Sequence, residues 1–274
     1  MNAAVLGSPI SHSLSPLLHN TAYQILGIDG NYQAIEISEN ELLPFIERAV
    51  SQNSEDRQYW SGLNLTMPLK ETVFESPYIT FDARCTLIRS ANTLLRDSDG
   101  FRATSTDLTA FMRLLEGANV ERVAIIGGGG TARAAIGAIA DRIEHLDLIL
   151  RTPSRIDAFT VIAPAANIRG LPMDTSIEGY DLVINTTPSG VADNFASRLG
   201  QASGLYFESL YNPWPTELAF AWKELGGKVL NGVDLLVEQA LDAIALMTES
   251  QFDYASMRQE LLSVATHALH TRNS

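Results

Sequence analysis

Arg122-Val123-Ala124-Ile125-Ile126-Gly127-Gly128-Gly129-Gly130-Thr131-Ala132 is the stretch that decides the fold class. Val123 to Ile126 form an apolar run of the kind that makes a strand buried on both faces. The glycines that follow fit the pattern G-x-G-x-x-A, and a helical pattern runs on from Thr131 to Ala140. A dinucleotide site needs glycine here because the backbone must turn tightly and approach a pyrophosphate. The helix start then offers free N–H groups and a partial positive charge to the phosphates. A run of four glycines can also be a flexible turn, but the strand–turn–helix setting favours the dinucleotide reading. Gly127, Gly128, Gly129, Gly130 and Thr131 are therefore the candidate cradle.

Toward the C-terminus, Leu146–Leu150, Leu182–Asn185 and Leu205–Leu210 are further apolar strand candidates, and Lys228–Leu230 is another. Helical segments lie between several of them, the rhythm of a doubly wound domain. Val233–Met247 reads as a long apolar helix with a more polar one after it. In an NAD site an acidic residue about 20 residues past the glycine loop meets the ribose 2′-hydroxyl. Here the second strand ends in Leu150-Arg151-Thr152-Pro153-Ser154-Arg155, with no carboxylate. Two guanidinium groups and two hydroxyls suit a 2′-phosphate, which takes charge-assisted, bidentate hydrogen bonds. The bland alternative is a solvated basic loop. In a chain of net charge −13, a local basic pair weighs toward the phosphate, and so toward NADP.

Toward the N-terminus, Ala3–Leu6, Asn31–Ile37 and Gly62–Leu65 are strand candidates. They alternate with helical patterns over Pro16–Leu26 and Glu39–Val50. Asn92–Arg96 and Phe101–Thr104 read as strands joined by the turn-rich Asp97-Ser98-Asp99-Gly100, and Asp107–Leu115 as a helix. The whole reads as a two-domain α/β chain. Residues 1–116 form an open α/β substrate domain, and residues 117–274 a Rossmann-like doubly wound NADP-binding domain beginning after Gly117-Ala118-Asn119. Helices from about residue 240 are expected to be able to pack back on the first domain.

Bulk properties exclude several classes. A net charge of −13 and a pI near 4.7 argue against nucleic acid and anionic membranes as partners. No apolar run is long enough to span a bilayer, and Met1 to Ser8 lacks the features of a secretory signal. Cys85 is the only cysteine, so no intrachain disulfide forms, and a cytoplasmic location is expected. The histidines follow no metal-ligand spacing, and no metal is expected. Oligomeric state is not encoded legibly, and a homodimer stays open.

Polar residues cluster near the ends of the N-terminal strands, where ligands bind in open α/β sheets. Ser13 and Ser15 flank Leu14 ahead of Pro16, so Ser15 reads equally as an N-cap or as part of a carboxylate site. Lys70 follows the strand ending at Leu65, an ordinary place for a surface lysine. Asn92 and Asp107, taken singly, are ordinary turn or cap residues.

Taken in order, these segments resemble the shikimate dehydrogenase family along nearly the whole chain. Gly7–Pro16 resembles the family's carboxylate site, implying Ser13 and Ser15 as ligands of shikimate or 3-dehydroshikimate. Asn64-Leu65-Thr66-Met67-Pro68-Leu69-Lys70 is similar to its lysine motif, implying Thr66 as a substrate ligand and Lys70 as the catalytic base. Ala91-Asn92-Thr93 and Thr106-Asp107 resemble its Asn and Asp contacts, with Asp107 paired to Lys70. Arg151, Thr152 and Arg155 look like its NADP phosphate motif, and Asn185-Thr186-Thr187-Pro188 like a cofactor-lining loop that includes Thr186. Tyr211-Asn212-Pro213 with Thr216 resembles its Tyr-x-Pro-x-x-Thr segment, which implies Tyr211 at the substrate. Asn231–Gln239 resembles its last motif, implying Gly232 at the nicotinamide and Gln239 at the substrate. The chain departs from the pattern at Arg89, Ser105, Leu150, Val191 and Glu208.

The resemblance implies an NADP-dependent oxidoreductase acting on a CH–OH group, placed in chorismate and aromatic amino-acid biosynthesis. The implied reaction reversibly reduces 3-dehydroshikimate to shikimate. Hydride passes between the carbinol carbon and C4 of the nicotinamide, and a base handles the hydroxyl proton. Lys70 can be that base, or a cationic donor sharing proton transfer through Asp107. Dehydrogenases of quinate or an amino analogue of shikimate, and a catalytically silent NADP-binding regulator, are the rivals. Retention of Lys70 with Asp107 weighs against the regulator, and Arg151 with Arg155 against a Rossmann-type methyltransferase.

Overall fold

A computed structural model of the chain describes residues 1–51 and 60–272. Two compact units emerge: Met1–Asp107 together with Leu236–Ser274, and Leu108–Leu235. The first division thus falls inside the helix Thr106–Leu114, ahead of the Gly117 break read from the sequence. Gly117, at φ +71, lies just beyond the end of that helix, in a conformation that favours glycine.

The first unit contains β1 (Asn2–Gly7), β2 (Asn31–Glu36), β3 (Gly62–Leu65), β4 (Ile79–Phe81), β5 (Thr93–Arg96) and β6 (Phe101–Thr104). They form one sheet in the order β2-β1-β3-β5-β6-β4. β1 runs parallel to β2 and β3, while β5 runs antiparallel to β3 and β6. The three-residue β4 joins the edge beside β6; so short a strand leaves no periodicity to read. β1 shows why its sequence is apolar throughout. Ala4 and Leu6 enter one core with Leu42, Ile46 and Leu63, and Ala3 and Val5 enter another with Tyr23, Tyr32 and Met247. A strand covered on both faces loses the polar alternation of a half-exposed one. The helix Gly232–Thr248 reaches this sheet at Gly62, where a Cβ would lie 2.6 Å from Met247 Cγ. Glycine is what leaves room for that contact.

The second unit contains β7 (Val123–Ile126), β8 (His145–Ile149), β9 (Asn167–Leu171), β10 (Leu182–Asn185), β11 (Leu205–Glu208) and β12 (Lys228–Leu230). Their order, β12-β11-β10-β7-β8-β9, with every pairing parallel, is the 3-2-1-4-5-6 arrangement of the doubly wound dinucleotide fold. The sequence reading omits β9 because Asn167-Ile168-Arg169-Gly170-Leu171 looks polar. It is an edge strand, and Arg169 makes a two-pronged ion pair with Asp147 of β8 at 2.7 Å on each prong. Burial opposes the Asp147 charge, but hydrogen bonds from Arg169 and Tyr180 outweigh it and hold the carboxyl below the usual range. The strand expected to reach Leu210 stops at Glu208, because the Leu210 N–H turns back to donate to the Glu208 carboxylate at 3.1 Å. Among the described residues no helix is long and apolar enough to cross a membrane.

His19, on the helix Ser15–Leu26, is expected to make the fold acid-sensitive. Its ring stacks on Tyr32 at 3.8 Å and is 1% exposed. Burial lowers its pKa from 6.5 to about 3. A histidine buried neutral contributes stability that is complete above the unfolded value and lost as pH falls from there toward the folded one. Between pH 7 and 5 this amounts to about 2 kcal/mol, at 1.36 kcal/mol per pH unit. Urea midpoints are expected to show that loss in the wild type and much less of it in His19→Phe. Equal losses would assign the acid sensitivity to other groups.

Candidate active site

β1 and β3 lie side by side and their ends set the first part of the site. A Cβ on Gly7 would come within 2.3 Å of Thr66 Cγ2, so only glycine permits this approach. The Ser8 N–H donates to the Met67 carbonyl at 3.0 Å. The Gly7–Pro16 segment is thereby stitched to the Thr66–Lys70 segment. The Ser13 hydroxyl accepts from the Ser15 N–H at 3.2 Å. The helix begins at Ser15, with Leu14 at the N-cap and no side-chain cap bond. Pro16 is consequently its second residue, and the capping explanation for Ser15 does not hold.

Lys70 sits on the short helix Leu69–Thr72 that follows β3. Its carbonyl accepts from the Ala91 N–H at 2.9 Å, which fixes the lysine beside the Ala91-Asn92-Thr93 segment. Lys70 Nζ donates to Asp107 Oδ2 at 2.5 Å, with the two side chains 15% and 7% exposed. An amine and a carboxylate paired this far from solvent interact much more strongly than a surface pair. Asn92 grips the same aspartate twice. Its Oδ1 accepts from the Asp107 N–H at 3.3 Å, and its Nδ2 donates to Asp107 Oδ1 at 3.1 Å. Asn92 Nδ2 also lies 2.8 Å from Thr106 Oγ1 and 3.4 Å from Gln239 Oε1, the latter a long contact. The first unit therefore brings Lys70, Asp107, Asn92 and Gln239 into one polar cluster, and places Thr66 beside Gly7.

The second unit assembles the cofactor candidates. Gly127 has φ +109, and a Cβ there would meet Thr186 Oγ1 at 2.4 Å. The Gly127 N–H donates to the Ile149 carbonyl, and the Thr186 N–H and hydroxyl both donate to the Ile126 carbonyl. The glycine turn is thus held against the ends of β8 and β10. Gly128 lies over Leu150 and Phe159, its virtual Cβ 3.0 Å from one and 3.2 Å from the other. Gly129 caps the helix Gly130–Ile139, of which Thr131 is the second residue. Arg151, Thr152 and Arg155 are exposed just past β8, and the Arg155 N–H closes a turn on the Thr152 carbonyl. A dinucleotide fits these residues: the turn leaves backbone where a side chain would block phosphate, and two cations stand free of carboxylate partners in the described contacts. Gly232 abuts the Ser209 carbonyl, where a Cβ would lie at 2.3 Å. Tyr211 follows β11 in this same unit.

Several residues passed over as site groups organise both clusters. Asn64, Thr93 and Thr106 form a buried polar core behind Asn92. Polar residues inside short apolar strands were the available signal. Glu208 is fully buried at the end of β11 and accepts from Asn185 Nδ2, the Tyr206 and Thr216 hydroxyls and the Leu210 N–H. Asn185 Oδ1 in turn holds the Thr187 N–H and hydroxyl. Read as a departure, Glu208 is the carboxylate that shapes two loops of the cofactor unit.

A 3-2-1-4-5-6 sheet with a glycine cradle, joined to a unit carrying a buried lysine–aspartate pair, defines a dinucleotide-dependent oxidoreductase. The model of the shikimate dehydrogenase substrate binding domain matches residues 5–94. The shikimate dehydrogenase (NADP(+)) of Methanococcoides burtonii is 32% identical over 257 residues, covering 89% of this chain and 91% of that protein. Among solved structures, Mycobacterium tuberculosis shikimate dehydrogenase superposes with a TM-score of 0.83 at 31% identity, covering 96% and 98% of the two chains. Shikimate 5-dehydrogenase from Thermus thermophilus, in complex with NADP(H) and shikimate, gives 0.80 at 27% identity, covering 97% and 99%. The chain belongs to the shikimate dehydrogenase family.

Proposed function

We propose that this chain catalyses the reversible, NADP-dependent reduction of 3-dehydroshikimate to shikimate. The observation that carries the reading is the Lys70–Asp107 pair, held at 2.5 Å and locked by Asn92. A silent NADP-binding regulator would need no such pair. In the oxidative direction Lys70 takes the proton from the ring hydroxyl, or holds that hydroxyl while Asp107 shares the proton. Asp107 orients the amine, and Asn92 orients Asp107. Ser13 and Ser15 receive the ring carboxylate at the start of the helix, where N–H groups face outward. Thr66, Gln239 and Tyr211 complete the substrate's polar contacts. Gly127, Gly128, Gly129, Gly130 and Thr131 hold the pyrophosphate, Arg151, Thr152 and Arg155 the 2′-phosphate, and Thr186 and Gly232 the nicotinamide side. Bound NADP supplies or accepts the hydride.

No nucleic acid, membrane or metal enters the reading, and the net charge of −13 disfavours the first two. A cytoplasmic setting belongs to it, in keeping with Cys85 as a buried free thiol. Initial rates with NADP+, read from the absorbance of the reduced nicotinamide, test the assignment. We expect kcat/KM for shikimate to far exceed that for quinate, which carries an extra C1 hydroxyl and lacks the ring double bond. The opposite order would reassign the substrate.

The carboxylate site has its own test. Ser13→Ala and Ser15→Ala are each expected to raise KM for shikimate roughly 10- to 100-fold. A hydrogen bond to a charged group is worth about 1.5–3 kcal/mol, and kcat should change less because the contact persists from ground state to transition state. An unchanged KM with a lowered melting temperature would make these hydroxyls structural.

A further inference from the structure

Behind the Lys70–Asp107 pair runs a line of buried polar side chains that ends at Tyr32 on β2. The Tyr32 hydroxyl donates to Asn64 Oδ1 at 2.7 Å, reaching across β1, where its register partner is the small Ala3. That bond fixes which end of the Asn64 amide faces which way. Asn64 Nδ2 then donates to the Asn92 carbonyl at 3.0 Å and to Thr93 Oγ1 at 2.9 Å. Thr93 Oγ1 also shares a hydrogen bond with Thr106 Oγ1, 2.9 Å away. Thr106 Oγ1 also receives Asn92 Nδ2, the amide that holds Asp107. Every member is nearly sealed from water: Tyr32 is 1% exposed, Asn64 4%, Thr93 0%, Thr106 2%, Asn92 2% and Asp107 5%.

Such a line is costly to bury, and apolar residues of similar shape would fill the sheet interior at lower cost. From the phenol the bonds run link by link to Thr106 Oγ1, where the Asn92 amide donates from the other side, so each bond constrains the next. Burial, then the neighbouring Tyr23, keeps the Tyr32 phenol protonated and therefore a donor. We propose that Tyr32 is a positioning residue of the reaction, its hydroxyl setting the Asn64 amide and, through Thr93 and Thr106, the Asn92 amide and Asp107 carboxylate that face Lys70. The inference rests on the dehydrogenase reading above and extends it to a side chain outside the substrate's contacts.

Tyr23 provides a matched control. It is an equally buried tyrosine in the same core, and its hydroxyl has no hydrogen-bond partner among the described residues. Tyr32→Phe is expected to lower kcat for shikimate oxidation about tenfold, since small misplacements of reacting groups are expensive. KM for NADP should stay unchanged. Tyr23→Phe should keep the wild-type kcat. Thr93→Val, which breaks the line just beyond Asn64, should lose about as much as Tyr32→Phe, and Thr93→Ser, which keeps the hydroxyl, should recover it. The double variant Tyr32→Phe/Thr93→Val should be no slower than the poorer single one. Equal kcat in Tyr32→Phe and Tyr23→Phe would overturn the proposal, as would full activity in Thr93→Val. Should Tyr32→Phe not fold, the two Thr93 variants decide the matter. A wild type that turns over no shikimate would instead remove the functional reading itself, and the positioning role with it.

Discussion

Replacing Lys70 with methionine is expected to lower kcat by roughly 10²–10⁴, the usual worth of general acid–base catalysis. Methionine keeps the length and the apolar stem but removes the amine that donates to Asp107 at 2.5 Å. The change leaves a buried carboxylate without its cation, a loss that can destabilise. Asp107 retains its bond from Asn92 Nδ2, so the folded structure should persist, and a melting curve checks this. NADP affinity should be unaltered, because the glycine turn and the arginines belong to the other compact unit. Asp107→Asn should also be impaired. If the two act as one device, the double variant should be little worse than the poorer single one. A pH–rate profile separates the two roles open to the lysine. Loss in Lys70→Met of a limb that rises with pH assigns proton acceptance to the amine, and survival of that limb makes Lys70 a cationic donor. Near wild-type kcat in Lys70→Met would remove the lysine from the chemistry.

The second large effect is expected at Arg151 and Arg155. Replacing both with alanine should weaken NADP binding roughly 10²–10⁴-fold, since hydrogen bonds to charged groups contribute about 1.5–3 kcal/mol each. NAD lacks the 2′-phosphate, so its much weaker binding should change little. Both side chains are exposed, and removing them should not disturb the core. Titration calorimetry on the double variant reads both affinities directly. Equal losses for NADP and NAD would show that the arginines serve the loop and not the phosphate.

How legible these features were in the sequence depends on the physics that made them. β7 and its glycine turn announced themselves because a fully buried parallel strand is continuously apolar and a phosphate turn is glycine-bound. β4 and β9 did not, one being three residues long and the other an edge strand whose Arg169 is committed to Asp147. Lys70, Asn92 and Asp107 each read as ordinary surface, turn or cap residues and became candidates only through the family resemblance, because the bonds among them join residues 15 and 37 positions apart. No local pattern encodes such separations. Ser15 shows the converse: a cap and a ligand look alike in sequence, and the helix start, with Leu14 at the N-cap, removes the capping reading alone. Glu208 read only as a departure from the family pattern, because nothing local in the sequence shows that its carboxylate is buried. Four donating groups from Asn185, Tyr206, Leu210 and Thr216 make it tolerable where it stands.

The central claim is that this chain interconverts 3-dehydroshikimate and shikimate with NADP. The most direct test incubates the purified protein with 3-dehydroshikimate and NADPH, follows the loss of reduced-nicotinamide absorbance, and identifies the product by NMR. The account predicts one shikimate formed for each NADPH oxidised, with NADH a far poorer donor. NADPH left unconsumed by a folded, NADP-binding protein, or a product other than shikimate, would contradict it.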